Sequence, residues 1–192
     1  MQIKNKIVLL IAVMAILSCN QSSTDAAKQT DTAGKDWEKQ FNQTLPLLGH
    51  RNWIIVADKA FPQQNAASME TINTNENLLT VLKYVLQQVN ASAHVKPIIY
   101  QDKELSFITE DQAKGVKQFI NQSQQLFNGN PVQTILHDSV FIKLDEASKL
   151  FKVVVLKTNE TIPYTSVFLQ LDCAYWSGEK EKQLRKNMIT PQ

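Results

Sequence analysis

Short apolar runs separated by helical segments constrain the fold of this chain more than any other feature. Trp53–Ala57 is an uninterrupted apolar run of strand length, which is typical of a strand covered on both faces. Helical segments alternate with such runs, so the pattern predicts an α/β three-layer sandwich with a mixed or mostly parallel central sheet and helices on both faces. Further strands are predicted over Val95–Tyr100, Val132–Leu136, Val153–Leu156 and Thr165–Leu171.

The helices are predicted from apolar residues at helical spacing, which is clearest in Glu76–Val89. Thr109-Glu110-Asp111-Gln112 has the form of a capping box and predicts a helix start. Pro46 is expected to end or kink the first helix, and Pro97 indicates an edge strand or a strand start. The other helices are predicted over Trp37–Leu48, Thr109–Leu126 and Leu144–Phe151.

The first residues carry the pattern of a bacterial export signal. Lys4 and Lys6 precede Ile7–Leu17, an apolar run of 11 residues that has signal-peptide length and is too short for a membrane helix. Ser18-Cys19 then resembles the lipobox at which bacterial lipoproteins are cleaved and lipidated. We therefore expect a signal peptide over residues 1–18, a lipid anchor on Cys19, a flexible tether over residues 19–35 and a domain over residues 36–192.

The alternative interpretation of this segment is an ordinary signal peptide with an incidental cysteine. In the lipoprotein interpretation the partner is a membrane, reached through the N-terminal lipid. Asn20 follows the cysteine instead of the Asp that often retains lipoproteins at the inner membrane. This favours an anchor in the outer membrane, facing the periplasm.

Charge and cysteine content exclude some classes of protein. The chain has 20 basic and 18 acidic residues, and removal of Lys4 and Lys6 leaves 18 of each. No basic stripe with interleaved aromatic residues occurs, so we expect no nucleic-acid partner. Of the two cysteines, Cys19 is the predicted lipid site, which leaves Cys173 without an intramolecular partner and predicts it to be a small buried residue.

The first candidate constellation places a histidine before a buried strand and an aspartate after it. His50 precedes Trp53–Ala57, and Asp58 follows it, at the end where α/β sheets bind ligands. Histidine titrates near neutrality and can pass protons in either direction. The alternative interpretation is structural: His50 flanks the end of a helix, and Asp58 forms an Asx turn.

The spacing of this pair constrains how it can act. Eight residues separate His50 from Asp58 and would span about 26 Å when extended, at about 3.3 Å per residue. The two side chains share one site only if the His50 loop folds back or if the site lies between subunits. A site between subunits predicts a closed, symmetric homo-oligomer.

The second constellation lies between the last two predicted strands. Asn159 suits a left-handed turn position, and Tyr164 and Ser166 are predicted to alternate onto one face at the start of the last strand. An aromatic ring and hydroxyl groups suit a sugar, which offers hydroxyls and an apolar ring face. The alternative interpretation is a hairpin with a half-buried tyrosine.

Together, the two constellations resemble the D-ribose pyranase and L-fucose mutarotase family. Residues 49–62 contain Gly-His, an apolar strand and Ala-Asp-x-x-Phe-Pro, as in the family's N-terminal motif. Residues 157–160 (Lys-Thr-Asn-Glu) and 164–166 (Tyr-Thr-Ser) resemble its C-terminal motif, Arg-Thr-Gly-Glu followed by Tyr-Ala-Asn or Tyr-Gly-Asn. The family's enzymes interconvert cyclic forms of a free sugar.

The resemblance implies a role for each matched residue. It makes His50 the catalytic proton donor, Asp58 a ligand of sugar hydroxyls, and Tyr164 and Ser166 substrate contacts. It implies no cofactor and no metal. It does imply a ring-shaped homo-oligomer with its sites at subunit boundaries.

This sequence departs from the family's motifs at several positions. Ser166 replaces Asn, and residues 157 and 159 replace Arg and Gly. The family often has a further His or Tyr near residues 141–144, where this chain has Lys143 instead. His137 lies a few residues earlier and is the predicted substitute, as a substrate-binding residue; the alternative is a solvated His-Asp pair in a loop. His94 is the remaining histidine and a weaker candidate.

The sequence therefore predicts a lipid-anchored sugar mutarotase or pyranase that uses His50 as acid/base. Two alternatives remain open: a carbohydrate-binding lipoprotein of the same fold without catalysis, and a structural or assembly lipoprotein without a sugar ligand.

Overall fold

A computed structural model describes residues 36–189 of the chain. The predicted signal peptide, Cys19 and the tether up to residue 35 lie outside the described residues. In chain order the elements are α1 (36–44), β1 (Trp53–Ala57), β2 (Met69–Asn73), α2 (Leu78–Ala91), β3 (Val95–Asp102), α3 (Val116–Phe127), β4 (Val132–Ile135), α4 (His137–Ser148), β5 (Val153–Lys157), β6 (Val167–Cys173) and α5 (Gly178–Ile189).

The six strands form one mixed sheet in the order β2-β5-β1-β6-β3-β4. Neighbours β2 and β5, β5 and β1, and β3 and β4 are parallel, whereas β6 is antiparallel to both β1 and β3. Five strands therefore run in one direction, and their carboxyl ends share one edge of the sheet with the start of β6. The predicted α/β fold class with a mixed sheet is confirmed.

Alternating side chains of β1 divide the core into two layers. Ile54 and Val56 pack with α1, α2 and α3 on one face, while Trp53, Ile55 and Ala57 pack with α4 on the other. All five side chains are 0–2% exposed. Because both faces are covered, β1 has the continuous apolar sequence from which it was predicted.

Strand β2 is missing from the sequence-based prediction, and Pro97 sits in a strand with two neighbours. As the outermost strand of the sheet, β2 buries only Ile72 of its five residues, so it lacks a periodic apolar signal. Pro97 pairs with Leu171 of β6, whereas β4 pairs with β3 only from Ile99 onward. The strand therefore has one open side at Pro97, where a missing N–H is tolerated.

Two helices begin elsewhere than predicted. The capping-box prediction of a start at Thr109 is wrong: α3 begins at Val116, after Gly115 takes a left-handed φ of 87° that interrupts helical geometry. The first helix, in contrast, ends at residue 44 and continues as a 3-10 turn through Pro46, as that proline predicts. Helix α4 begins at His137, seven residues before the predicted start, and ends at Ser148.

The chain continues beyond the sheet into α5, which buries none of its side chains. The charged residues over Glu179–Arg185 form a solvated face of this helix. Across residues 36–189, no helix is both long enough and apolar enough to span a bilayer.

Candidate functional site

A cavity of about 270 Å³ opens at the edge of the sheet where the parallel strands end. Asp58, which follows β1, lines it together with His137, the first residue of α4. Tyr164, Phe61 and Phe141 supply aromatic walls. The structure thus brings together three residues that the sequence singled out separately, Asp58, His137 and Tyr164, at the position where α/β sheets bind ligands.

His137 is paired with a carboxylate that the sequence-based prediction missed. Its Nδ1 lies 2.8 Å from Oδ2 of Asp102, the last residue of β3, and the Asp102 side chain is fully buried. The contact holds the proton of a neutral His137 ring on Nδ1, so Nε2 is the nitrogen that remains for a ligand. The His137 ring itself is 37% exposed.

Burial raises the pKa of Asp102 to about 6, although the hydrogen bond and charge of His137 oppose that shift. The negative charges of Glu104 and Asp58 raise the pKa of Asp102 further. Its second oxygen, Oδ1, is buried and has no hydrogen-bond partner among the described residues. A carboxyl group that titrates near neutrality and contacts a histidine can exchange protons with that histidine.

The position of His137 is set by the start of α4. Both carboxylate oxygens of Glu104 accept from the His137 backbone N–H at 3.1 Å. A carboxylate at a helix N-terminus stabilises the unpaired N–H groups there. The alternative of a solvated His-Asp pair in a loop is therefore wrong for His137, and Glu104 caps the start of α4.

Asp58 is fixed in place by two hydrogen bonds to its carboxylate. Oδ1 accepts from the Ala60 N–H at 2.8 Å, which forms the Asx turn considered above. Oδ2 accepts from the Ser166 hydroxyl at 2.8 Å, and Ser166 Oγ in turn accepts from the Asp58 N–H at 3.0 Å. Ser166 is 2% exposed, so it orients Asp58 from beneath the cavity.

The second constellation supports the loop that carries Asp58. Thr158 donates its hydroxyl to the Ala57 carbonyl at 2.8 Å, and the Lys157 ammonium donates to the Phe61 carbonyl at 2.8 Å. The Lys59 ammonium donates to Oδ1 of Asn159 at 2.8 Å. The two motifs, about 100 residues apart in sequence, therefore form one corner of the structure.

Tyr164 takes the left-handed backbone conformation that the sequence predicted for Asn159. Its φ is 61°, whereas Asn159 has no positive φ. Tyr164 therefore does not alternate with Ser166 along a strand, and β6 begins only at Val167. The hairpin alternative is wrong as well, because β5 and β6 are separated by β1 in the sheet.

The strained backbone aims the Tyr164 ring at His137. The two ring centroids lie 5.2 Å apart at an interplanar angle of 89°. A bulky residue at positive φ is uncommon, and such strain is concentrated at functional sites. Tyr164 is 36% exposed, so one face of the ring remains available to a ligand.

We expect Tyr164→Gly to be more stable than Tyr164→Ala by about 1 kcal/mol, because only glycine adopts a left-handed φ without steric cost. Both variants lose the same ring, so their difference isolates the backbone. Urea denaturation measures it. The same two substitutions at Tyr175, which has no positive φ, are the control and should show the opposite order. Equal stabilities at Tyr164 would contradict the assignment of backbone strain.

His50 lies at the opposite edge of the sheet from Asp58. Its Nδ1 is 3.0 Å from Oδ1 of Asp172, near the end of β6, and its side chain is 56% exposed. The Arg51 N–H donates to the Leu171 carbonyl at 2.8 Å and holds the loop there. The loop does not fold back, so His50 does not reach the Asp58 cavity of its own chain.

The remaining histidine, His94, has a structural contact. Cys173, which was predicted to be buried, is only half-buried. Nε2 of His94 lies 3.1 Å from the Leu48 carbonyl oxygen, and the Ala174 N–H donates to the His94 carbonyl at 3.2 Å. Cys173 is a free, half-buried thiol at the end of β6. No group of His, Cys, Asp and Glu side chains within residues 36–189 is arranged to hold a metal ion.

Asp102 and Phe141 are the site residues that sequence reasoning missed. The predicted strand ended at Tyr100, two residues short of Asp102. The rule that identified Asp58 at the carboxyl end of β1 would have identified Asp102 at the end of β3, given the correct strand boundary. Phe141 became recognisable only when α4 was found to begin at His137, which places it one turn along from that residue.

These features define a class: a mixed α/β sandwich with a small polar and aromatic cleft at the carboxyl ends of its parallel strands. The chain belongs to the RbsD / FucU transport protein family, whose sequence model matches residues 37–173. The family resemblance drawn from the two motifs is thereby confirmed. Helix α5 lies beyond the matched residues. No curated protein sequence matches the chain.

Two solved structures illustrate the similarity. The fucose mutarotase of Streptococcus pneumoniae, in complex with L-fucose, has a TM-score of 0.50 and 18% identity, over 68% of this chain and 89% of that chain. RbsD of Bacillus subtilis, complexed with D-ribose, has a TM-score of 0.49 and 19% identity over the same shares. At such identities the likeness concerns the fold alone.

Proposed function

We propose that this protein is a sugar mutarotase or pyranase that interconverts cyclic forms of a free monosaccharide by acid/base ring opening. The observation that carries the proposal is the cavity in which the His137–Asp102 pair meets Asp58 and Tyr164. Its volume, about 270 Å³, lies just below the usual range for small-molecule sites, about 300–1,000 Å³, which favours a ligand of monosaccharide size. Family membership and the sugar complexes of similar structures favour the same substrate class.

The reaction needs one base and one acid. The base removes the proton of the anomeric hydroxyl while the acid protonates the ring oxygen, and the bond between the anomeric carbon and that oxygen breaks to give the aldehyde. Closure by the reverse route on either face of the aldehyde, or by another hydroxyl, gives the other anomer or ring size. The reaction needs no redox cofactor, because no electrons are gained or lost.

In the proposal, His137 with Asp102 is the base, and Asp58 accepts hydrogen bonds from sugar hydroxyls. The Tyr164 ring lies against the apolar face of the sugar. Ser166 acts by orienting Asp58, because both of its described hydrogen bonds go to that residue. A direct contact between Ser166 and substrate stays a prediction.

The acid in this proposal is His50 of a neighbouring copy. His50 and Asp58 lie at opposite edges of one sheet, so a head-to-tail contact would bring the His50–Asp172 pair of one copy to the Asp58 cavity of the next. Head-to-tail contacts of identical chains form a ring when the rotation from one copy to the next closes on itself. The ring-shaped oligomer is therefore part of the proposal.

Asp172 is suited to support His50 in this role. Partial burial alone would raise the pKa of Asp172, but the Cys173 N–H, the Lys96 ammonium and His50 together hold that pKa below its ordinary value. Asp172 is consequently ionised at neutral pH. Its carboxylate contacts Nδ1 of His50 at 3.0 Å and so orients the His50 ring.

The test is NMR exchange spectroscopy of free aldoses, including D-ribose and L-fucose, with the full chain. We expect exchange between ring forms or anomers faster than in buffer for at least one sugar. His137→Ala should slow it about hundredfold, at the lower end of the range for a lost acid or base. His94→Gln is the matched control, since its amide can donate to the Leu48 carbonyl as His94 can, and it should exchange like the wild type. Equal rates for His137→Ala and the wild type would refute the role of His137.

A second candidate function is carbohydrate binding without catalysis. Ser166 favours it, because the family's asparagine is replaced by a shorter side chain that is buried under Asp58. Saturation-difference signals from a sugar, without accelerated exchange in the same sample, would establish this second function. If no sugar of the panel gives either a saturation-difference signal or accelerated exchange, both functions are refuted.

We also propose that the protein is exported and held by a lipid on Cys19, facing the periplasm. The basic residues, the apolar run and the lipobox-like Ser18-Cys19 support this part of the proposal. Cys19→Ala should release the protein from membranes in fractionated cells, and retention of that variant on the membrane would refute the anchor.

A further inference from the structure

A second cavity lies at the edge of the sheet that carries His50. It has a volume of about 600 Å³ and is larger than the Asp58 cavity. One part of its wall belongs to the region that the family model matches and contains His50, Arg51 and Asp172. The other part belongs to the segment that follows residue 173 and contains Trp176 and Glu181. The family match ends at residue 173, so this part of the wall is specific to the C-terminal extension of this chain.

Trp176 is the residue of this wall with an unusual exposure. The chain has three tryptophans; Trp37 and Trp53 are 2% exposed, whereas Trp176 is 41% exposed. Its Nε1 donates to Oε2 of Glu181 at 2.9 Å, and Oε1 of Glu181 pairs with Arg185 at 2.7 Å. These contacts tether the indole to α5 and restrict its orientation, although α5 has no buried residue.

The chemistry of the cavity suits a sugar. An exposed aromatic face binds the apolar face of a pyranose, while carboxylate, imidazole and guanidinium groups bind its hydroxyls. Asp172, His50 and Arg51 supply those groups on the side facing Trp176 and Tyr175. An apolar protein segment is a poor occupant, because it would bury these charged groups without partners.

We infer that Trp176 is a specificity-determining residue that stacks on the ring of the sugar at the site containing His50. The inference rests on the proposed function, because it places the sugar beside His50. The ligand class is an aldopyranose that also presents C–H groups on the ring face turned away from Tyr164. Such a face gives the indole more apolar contact than a furanose or an open chain does.

The test uses Trp176 as its own reporter, since the other two tryptophans are buried. Titration of the full chain with each aldose of the panel should shift the exposed component of tryptophan emission to shorter wavelength and protect it from iodide quenching. Trp176→Phe should abolish this response. In exchange kinetics, Trp176→Ala should raise KM for the preferred pyranose about tenfold at nearly constant kcat, and Trp176→Phe should restore most of that loss.

Leu184→Ala is the matched control on α5, because Leu184 is exposed and does not line the cavity. It should leave both readouts unchanged. Turnover with unaltered Trp176 emission would overturn this inference and leave the proposed function intact. An emission response without turnover would support the stacking role and overturn catalysis. Neither response nor turnover with any sugar would overturn both.

Discussion

Co-expression of His50→Ala chains with Asp58→Asn chains is expected to restore about a quarter of the wild-type activity. His50→Ala alone should be about 10²- to 10⁴-fold less active, as for a lost acid, and Asp58→Asn alone should lose activity with its sugar-binding carboxylate. In the head-to-tail arrangement each site takes His50 from one copy and Asp58 from the next. Random mixing of equal amounts makes about one site in four intact. The observation behind this expectation is that His50 contacts Asp172 at one end of β6, whereas Asp58 contacts Ser166 at the other.

Mixing wild-type chains with the double variant His50→Ala/Asp58→Asn provides the matched control. A site shared between copies leaves about a quarter of the sites intact in that mixture, whereas a site within one chain leaves about half. Exchange rates from NMR, normalised to total chain, distinguish the two results. If the two single variants remain inactive when co-expressed, His50 and Asp58 do not share a site between copies.

The second large effect concerns stability and its dependence on pH. Asp102 has a pKa of about 6 in the folded chain, against an ordinary value of 3.8. The folded state therefore binds more protons than the unfolded state between these values, and stability falls as the pH rises through this window. Over the whole window, ionisation of Asp102 costs about 3 kcal/mol, at about 1.4 kcal/mol per pKa unit.

Asp102→Asn removes this titration and keeps a side chain of similar shape. We expect the free energy of unfolding of the variant, relative to wild type, to increase by about 2.5 kcal/mol between pH 4 and pH 8. Urea denaturation across that range measures the change. Sugar exchange should meanwhile slow, because an amide does not hold the His137 proton on Nδ1 as a carboxylate does.

Asp172→Asn is the control for the sign of this effect. The pKa of Asp172 is lowered in the folded chain, so its ionisation stabilises the fold at higher pH. The relative stability of Asp172→Asn should therefore decrease as the pH rises, opposite to Asp102→Asn. A pH-independent difference between Asp102→Asn and wild type would show that Asp102 does not titrate in this window.

Stability and function are opposed at two positions of the cavity. Asp102 is buried with one unpartnered oxygen, and Tyr164 holds a backbone conformation that glycine would adopt more easily. Both features cost stability, and both act on His137, the first by a hydrogen bond and the second by ring contact. Strain maintained at one small cleft is the pattern expected of a working site.

The sequence by itself determined the elements whose burial is periodic or continuous. The strand Trp53–Ala57 was predicted with its observed bounds, and α2 was predicted within two residues at either end. The two motifs, in chain order, were sufficient to indicate the family. Local sequence carries these signals because each depends on side-chain spacing within one element or on one turn.

Only the tertiary structure decided how the candidate residues are grouped. His137 meets Asp102 across 35 residues, and Ser166 meets Asp58 across 108, through contacts that no local pattern specifies. The same structure separates His50 from Asp58, although they are eight residues apart, because a fully buried strand lies between them. Sheet order and strand direction fix these distances, and both arise from packing between elements that are remote in the chain.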